Sequence, residues 1–295
     1  MRDFDENNIT EAVVDRFAAT PDPRLKTVMS SLVRHMHDFV RDVEPTFDEW
    51  IGAIQFLTRT GHMCSDTRQE FILLSDVLGV SMLVDAINHR QPEGATETTV
   101  LGPFYLANAP VFPDGADIMS PDTLGERVYV EASFTAPDGT PLAGATVDVW
   151  QSDGDGFYDV QRPELTEANL RGRFVADGQG QVRFWSITPQ FYPIPYDGPV
   201  GDLLKATKRH PYRPAHLHFM VAAEGYETLV THVFMAGDPY LDSDAVFGVK
   251  NSLVDTFPEQ APGTAPDGRV MQAAWRRLTY RFGLKQASLK EVAAE

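Results

Sequence analysis

The first ninety residues place apolar side chains at the spacing of helices. Between residues 22 and 44 the apolar positions recur at steps of three, one and three, which predicts an amphipathic helix. Pro45 ends that helix, and Thr46 with Glu49 matches a capping box that opens a second helix through about Thr60. The first stripe consists of Leu25, Val28, Met29, Leu32, Val33, Met36, Phe39, Val40 and Val43.

A third helix is predicted to run to about His89, and a shorter one lies near residues 10–19. Two capping pairs are available to open the third helix, namely Asp66 with Gln69 or Thr67 with Glu70. The following segment, from about residue 91 to 126, is rich in Pro, Gly and Asp, which predicts a connecting loop.

From about Arg127 the apolar period changes to two, as in strands with one buried face. Turn sequences such as Asp177-Gly178 and Glu224-Gly225 separate these segments. The segments are 128–134, 146–151, 180–187, 215–221, 229–235 and 277–284. We therefore predict an α+β fold: a helical region with its connecting loop over residues 1–126, followed by a β-sandwich of mixed topology over residues 127–295.

The composition restricts the functions that this fold can serve. With 42 acidic and 25 basic residues, the formal net charge is −17, which argues against nucleic acid and against anionic membrane surfaces. The N-terminus lacks the apolar run of a secretory signal, and no apolar stretch approaches the roughly 18 residues of a membrane span. A single cysteine, Cys64, excludes an intrachain disulfide. We expect a soluble cytoplasmic protein.

His216 and His218 are the first candidates for chemistry. Residues i and i+2 of a strand point to the same face, so both imidazoles can reach one metal ion. The pair alone is weak, because two histidines on a half-exposed strand face are more common than a metal site. Two tyrosines in loops, Tyr158 and Tyr192, strengthen the case for a metal site. A trivalent ion can deprotonate tyrosine, and phenolate oxygens favour iron(III) over iron(II).

Four runs of this sequence resemble the intradiol ring-cleaving dioxygenases. They are PLAGATVDVWQSDGDGFYD (141–159), RGRFVADGQGQVRFWSI (171–187), ITPQFYPIPYDGPVGDLL (187–204) and HPYRPAHLHFMV (210–221). The resemblance extends over essentially the whole chain, including LGPFY at 101–105, and within the family it is closest to the hydroxyquinol (benzene-1,2,4-triol) enzymes. It implies cleavage of the ring by O₂ to 3-hydroxy-cis,cis-muconate, whose keto form is maleylacetate.

The resemblance also implies the roles of individual residues. One Fe(III) per chain would be held by Tyr158, Tyr192, His216 and His218, with Tyr192 displaced when substrate binds. Arg213 matches the active-site arginine of the family and would stabilise negative charge on the ring. His232 stands where many catechol enzymes of the family have a glutamine, so a catalytic role for it competes with a structural one.

By the same resemblance, a wall of mostly apolar residues selects the substrate. Its members are Leu73, Asp76, Val100, Leu101, Gly102, Pro103, Phe104, Ile194, Pro195 and Val246. Leu73 and Asp76 are three apart on a predicted helix and can share a face. The Asp76 carboxylate could accept a hydrogen bond from a third ring hydroxyl, which favours hydroxyquinol. Relatives also imply a homodimer through the N-terminal helices, with a phospholipid at the interface.

Two alternatives stay open from the sequence. The ring could be catechol or a chlorocatechol, which would give cis,cis-muconates. A different class of protein is also compatible with DGTPLAGATVDVW, which is typical of transthyretin-like β-sandwich modules that bind ligands without metal. Such a module would not need both tyrosines and both histidines. The stripe at 25–43 likewise fits burial within the chain or at a twofold interface.

Overall fold

The computed structural model describes residues 2–65 and 68–287. Its helices are α1 (Ile9–Asp15), α2 (Pro23–Val43), α3 (Phe47–His62), α4 (Glu70–Val77), α5 (Val80–Asn88) and α6 (Pro199–Ala206). Its strands are β1 (Ala116–Asp117), β2 (Arg127–Thr135), β3 (Thr146–Trp150), β4 (Arg171–Val175), β5 (Gln181–Ile187), β6 (Tyr192–Pro193), β7 (Tyr212–Arg213), β8 (His216–Ala222), β9 (Leu229–Met235), β10 (Val254–Asp255), β11 (Glu259–Gln260), β12 (Gly263–Thr264), β13 (Val270–Met271) and β14 (Trp275–Gly283).

The chain forms two compact units, one up to Arg59 and one from Thr60 onward. In the first unit, the Asp22 carboxylate caps α2 by accepting hydrogen bonds from the backbone N–H groups of Arg24 and Leu25. Glu44, in the left-handed region, ends α2 directly before Pro45. These bounds confirm the first predicted helix.

The capping box predicted for α3 is present. The backbone N–H of Thr46 donates to Glu49 Oε2 at 2.7 Å, and the backbone N–H of Glu49 donates to Thr46 Oγ1 at 3.3 Å. The reciprocal contacts satisfy donors at the start of the helix, where no intrahelical acceptor exists.

The prediction of one helix from the capping pairs to His89 is wrong. Two helices, α4 and α5, occupy this segment and are separated at Gly79, whose φ of 72° lies in the left-handed region. An α-helix cannot continue through that conformation, so the direction of the chain changes there. Of the proposed caps, Asp66 and Thr67 lie outside the described residues.

The second unit contains two five-stranded sheets, with strand orders β1-β5-β2-β14-β11 and β10-β9-β8-β3-β4. Pairing is mixed, because β14 runs parallel to β2 whereas β5 runs antiparallel to it. All six predicted strands are present, and the predicted α+β class with a mixed sandwich is confirmed. The strand β4, the helix α6 and the two-residue strands, of which β1 lies within the predicted connecting loop, were not predicted. Pro199 in the first turn of α6 was the available signal.

The main core lies between the two sheets and determines where the site can form. On β8, Leu217, Phe219 and Val221 point into that core and are almost fully buried. Because side chains alternate along a strand, His216 and His218 project from the opposite face of this sheet.

Among the helices of the described residues, none is long and apolar enough to cross a membrane.

Candidate metal centre

The two histidines of β8 lie on a sheet face that loops and neighbouring strands cover. In the sheet, His218 is paired with Trp150 of β3 on one side and with His232 of β9 on the other. The Trp150 ring stacks on His218 with the ring centroids 4.5 Å apart. His216, His218 and His232 are all buried, with at most 2 % of their surface exposed. The predicted pair is therefore a buried cluster and not a solvated strand face.

Both predicted tyrosines reach this cluster. Tyr158 precedes a 3₁₀ turn at Asp159–Gln161, and Tyr192 lies on β6, opposite Arg213 of β7. Tyr158 Oη lies 3.1 Å from Tyr192 Oη and 2.8 Å from His218 Nε2. His218 Nε2 lies 3.1 Å from His216 Nε2. Four side chains from β6, β8 and the loop before the 3₁₀ turn thus bring two phenol oxygens and two imidazole nitrogens together.

The hydrogen bonding of His216 shows which nitrogen is free to bind a cation. Its Nδ1 lies 2.6 Å from the carbonyl oxygen of Pro214, which can only accept a hydrogen bond. Nδ1 therefore carries the proton, and Nε2 presents its lone pair to His218 and the tyrosines. Among the described residues, His218 Nδ1 has no hydrogen-bond partner. Its Nε2 faces the same point as that of His216, so the donor set fits a metal ion.

Burial determines the protonation of these groups. Burial lowers the pKa of His216 well below its ordinary value, and the charge of Arg213 lowers it further. Burial also lowers the pKa of His218 and His232. All three imidazoles are therefore neutral at pH 7 and able to donate a lone pair. Burial raises the pKa of Tyr158 well above its usual value, with Tyr192 adding to the rise, so without a cation Tyr158 keeps its proton.

Arg213 lies inside the cluster and is almost fully buried. Its Nη1 lies 3.4 Å from His216 Nε2, and its Nη2 lies 3.5 Å from His232 Nδ1. On its other edge, Nε and Nη2 donate to the Asp244 carboxylate at 3.1 and 3.3 Å. Burial alone would lower the pKa of Arg213, but Asp244 and, to a smaller extent, Tyr192 and Tyr158 more than offset that effect, so the guanidinium stays charged.

His232 contacts both histidines of β8 through its ring. Its centroid lies 4.6 Å from that of His216 and 4.1 Å from that of His218. Geometrically, these three residues form a group able to hold a metal ion. Nevertheless, the Nδ1 of His232 faces the Arg213 guanidinium, and no described residue lies within hydrogen-bond geometry of its Nε2. The two tyrosines contact His218 and His216 but make no such contact with His232.

Part of the predicted wall comes together in one apolar cluster. Leu73, Val100, Ile194 and Val246 pack with neighbouring residues of α4 and α6. Phe104 stacks on Tyr158 at 4.4 Å. A side chain at Gly102 would start 3.3 Å from His218 Cε1, and the φ of 77° also favours glycine. Of the remaining wall residues, Leu101 and Pro103 are exposed and Pro195 is half-buried.

Asp76 is the one acidic member of the predicted wall. It is partly buried on α4, and burial raises the pKa of its carboxyl group. A hydrogen bond from Ser81 and the charge of Arg213 lower that pKa, whereas Asp244 raises it. These neighbours place the Asp76 carboxylate within electrostatic reach of the Arg213–Asp244 pair.

The sequence did not predict three residues that shape the site. Asp244 binds Arg213, Trp150 stacks on His218, and Arg171 donates through Nε to Asp159 Oδ2 at 2.7 Å and through Nη1 to the Phe104 carbonyl at 3.0 Å. Trp150 and Arg171 had a signal, since they lie in the runs 141–159 and 171–187 shared with the family, whereas Asp244 had none. A cleft of about 440 Å³, lined mainly by residues 208–210 and 241–245, shares only Asp244 with the site.

Comparison with known proteins identifies two family regions. Residues 100–285 match the Dioxygenase family model, and residues 22–96 match the model for the catechol dioxygenase N terminus. The first region alone covers more than half of the chain and contains every residue of the cluster. The N-terminal model matches the helical part of the chain, and the Dioxygenase model matches the part that contains the sandwich.

Individual relatives agree with the family models. The chain is 55% identical to 6-chlorohydroxyquinol 1,2-dioxygenase of Cupriavidus pinatubonensis, over 90% of this chain and 95% of the relative. It is 54% identical to hydroxyquinol 1,2-dioxygenase of a Rhizobium species, over 86% of each chain. The crystal structure of hydroxyquinol 1,2-dioxygenase from Pseudomonas putida matches with a TM-score of 0.90 and 48% identity, over 96% of this chain and 99% of that one.

A solved structure of catechol 1,2-dioxygenase, from Pseudomonas arvilla, is more distant, with 28% identity and a TM-score of 0.82 over 97% of this chain and 93% of that one. The alternative of a metal-free binding module therefore has no support in these matches. On its sequence, its fold and its buried tyrosine–histidine cluster, this chain belongs to the intradiol ring-cleavage dioxygenases, a family of metal-dependent enzymes.

Proposed function

We propose that the protein cleaves hydroxyquinol with O₂ between its adjacent hydroxylated carbons, in an iron(III)-dependent reaction of aromatic degradation. The product is 3-hydroxy-cis,cis-muconate, the enol form of maleylacetate. The observation that carries the substrate assignment is Asp76, a partly buried carboxylate beside the Arg213–Asp244 pair in an otherwise apolar wall. The hydroxyquinol enzymes among its relatives, at 48–55% identity, point the same way.

Tyr158, Tyr192, His216 and His218 are the ligands in this proposal. Two phenolates and two neutral imidazoles form a donor set of net charge −2, which suits a hard trivalent cation better than a divalent one. When bound there, iron(III) acts as a Lewis acid that acidifies the diol and makes its ring reactive toward O₂. His232 is not a ligand in this proposal, because its Nδ1 faces the Arg213 cation and not the phenol oxygens.

The chain itself supplies a base and a cation for the reaction. Tyr192 takes one proton from the diol as substrate binds, since its Oη is already within the cluster, 3.1 Å from Tyr158 Oη. Arg213 stabilises negative charge that develops on the ring oxygens, because its Nη1 edge faces His216 from inside the buried site. His232 supports the site by packing against the rings of His216 and His218.

Asp76 would distinguish a triol from a diol. A carboxylate in an apolar wall must find a hydrogen-bond donor or lose stability, and the third ring hydroxyl is such a donor. Catechol offers no donor at that position, so in its complex Asp76 would keep only the hydrogen bond from Ser81 and would lack the one that the substrate supplies. Selection by an unsatisfied polar group is stronger than selection by shape alone.

A visible spectrum recorded before and after anaerobic addition of hydroxyquinol tests metal, ligands and substrate together. Tyrosinate bound to iron(III) gives a charge-transfer band, which should shift when substrate replaces a ligand. Turnover is then compared on hydroxyquinol, 6-chlorohydroxyquinol, catechol and 4-chlorocatechol. A colourless iron-loaded protein would refute the ligand set, and a higher kcat/KM for catechol would refute the substrate.

Tyr192→Phe tests the role of the base separately. The variant should still bind iron through the other three ligands, but its turnover should fall about 100-fold, the usual size of a general-base contribution. Tyr196→Phe is the matched control, because Tyr196 is a nearby tyrosine exposed to solvent. Wild-type turnover and substrate affinity in Tyr192→Phe would contradict the assignment.

The proposal includes a cytoplasmic homodimer that pairs through the N-terminal helices, with a phospholipid at the interface. Support comes from α2, which has no buried residue although it carries a continuous apolar stripe. Leu25, Leu32, Met36 and Phe39 are all exposed. Light scattering measures the assembly, and mass spectrometry after organic extraction detects a bound lipid.

A further inference from the structure

A carboxylate outside the proposed ligand set holds the Arg213 guanidinium along one edge. Asp244 Oδ1 accepts from Nε at 3.1 Å, and Oδ2 accepts from Nη2 at 3.3 Å. Both side chains are at least 95 % buried. Because two nitrogens are engaged by Asp244, the plane of the guanidinium is fixed. Nη1 is then the nitrogen left to face His216 Nε2, at 3.4 Å.

The loop that carries Asp244 is built around this contact. Asp244 Oδ1 accepts from the backbone N–H of Val246 at 3.3 Å, and Oδ2 accepts from that of Gly248 at 2.9 Å. A Cβ at Gly248 would lie 2.9 Å from Arg213 Nη2 and 3.2 Å from Asp244 Oδ2. The loop therefore fixes the carboxylate from behind, and a side chain at residue 248 would push against the guanidinium and the Asp244 carboxylate.

We propose that Asp244 is a positioning residue for ring cleavage, which acts by holding Arg213 with Nη1 aimed into the site. This inference rests on the role proposed above for Arg213. A donor already oriented when charge develops needs no reorganisation during the reaction, whereas a free arginine side chain samples many rotamers. Loss of Asp244 should therefore lower kcat more than it raises KM, because the affected interaction strengthens in the transition state.

The test is a double-mutant cycle in the iron-loaded enzyme, made of Asp244→Asn, Arg213→Ala and the double variant. We expect Asp244→Asn to lower kcat by about 10- to 100-fold, as loss of a partner that orients an active-site group does. In the Arg213→Ala background the same substitution should have no further effect on kcat. Additive effects, or an unchanged kcat in the single variant, would overturn the proposal. Asp242→Asn is the control, an exposed carboxylate on the same loop.

Two measurements separate positioning from damage to the fold. The charge-transfer band of Asp244→Asn should match that of the wild type, because the ligands are untouched. Its Tm should fall, because the buried guanidinium loses its countercharge, but should stay well above the assay temperature. If Asp244→Asn does not fold, Gly248→Ala replaces it, since its added methyl group displaces the guanidinium while keeping every charge. An unchanged kcat in Gly248→Ala would equally overturn the proposal. If the wild type fails on hydroxyquinol but cleaves catechol, the substrate assignment fails, and the cycle is then measured on catechol.

Discussion

The helical unit that ends at Arg59 and the sandwich carry equally clear apolar patterns, but they bury them differently. On β8 the inward-facing Leu217, Phe219 and Val221 are covered by the opposite sheet. On α2 most of the apolar stripe stays exposed, and Phe39 keeps 63 % of its surface accessible, although Met29 and Val33 are partly buried. Apolar periodicity therefore predicts the element correctly in both regions, but only in the sandwich does the chain itself provide the surface that covers it.

The polar side of α2 shows which face the first unit covers by itself. Arg34 makes a two-point contact with Glu11 of α1, and Thr10 lies 3.0 Å from His37 Nδ1. The contacts to α1 thus involve polar residues, whereas the stripe of Leu25, Leu32 and Met36 remains outside them. An apolar stripe left largely exposed on one helix is the surface that the second copy proposed above would cover.

The largest expected effect is in the sandwich. His218→Ala removes a proposed ligand, so iron content and turnover should fall by more than about 100-fold, beyond the loss typical of a residue that only orients a ligand. Metal analysis and kcat measure this. His89→Ala is the control, a half-exposed histidine bonded to Asp85. The proposed dimer through the N-terminal helices should be unchanged. Dissociation of the dimer in this variant would show that iron binding and dimerisation depend on each other.

The complementary change is in α2. Leu32→Glu places a charge in the apolar stripe and should raise the dissociation constant of the dimer about 100-fold, because burial of an unpaired carboxylate costs about 3 kcal/mol. Analytical ultracentrifugation measures the constant. The control is Thr27→Glu, which adds the same charge at an exposed polar position of the same helix and should leave the dissociation constant unchanged. If both variants stay dimeric, the stripe is not the interface.

A smaller effect is expected at Asp76, where helix and sandwich residues meet within the second unit. Asp76→Leu should reduce the preference for hydroxyquinol over catechol about 10-fold, since one hydrogen bond to a charged group contributes about 1.5 kcal/mol or more. The ratio of the two kcat/KM values is the measurement. The control is Asp202→Asn on the exposed side of α6, which removes one negative charge away from the site and should leave the ratio unchanged. An unchanged ratio would show that Asp76 does not read the third hydroxyl.

The smallest effect concerns stability. Burial raises the pKa of Asp76 in the folded state, so folding favours its protonated form. That contribution is fully present below the unfolded pKa of about 4 and is lost as the pH rises through the folded value. Asp76→Asn cannot ionise and should therefore raise the Tm at pH 7 by about 2 °C. The gain should vanish at pH 3.5 in calorimetry, and a gain that grows toward acid would contradict the sign.

The site was predictable to the extent that its residues lie on regular elements or in family motifs. His216 and His218 followed from the strand period, and Tyr158 and Tyr192 from the resemblance. Asp244 was not predictable, because it belongs to an irregular loop and contacts a residue 31 positions earlier. The break at Gly79 was also missed, since a glycine within an apolar stripe is compatible with a continuous helix. The domain boundary at residues 126 and 127 stays a prediction.

The amino-acid pattern alone predicts the class of fold and the helices and strands with strong periodicity, and the resemblance to the family supplies the proposed ligands. These depend on local patterns, namely the period of apolar side chains, the capping residues and the spacing within motifs. The tertiary structure alone shows that the histidine cluster is buried, that Asp244 contacts Arg213 and that most of the α2 stripe is exposed. Each of these depends on which distant segments come into contact, and local propensity carries no information about such contacts.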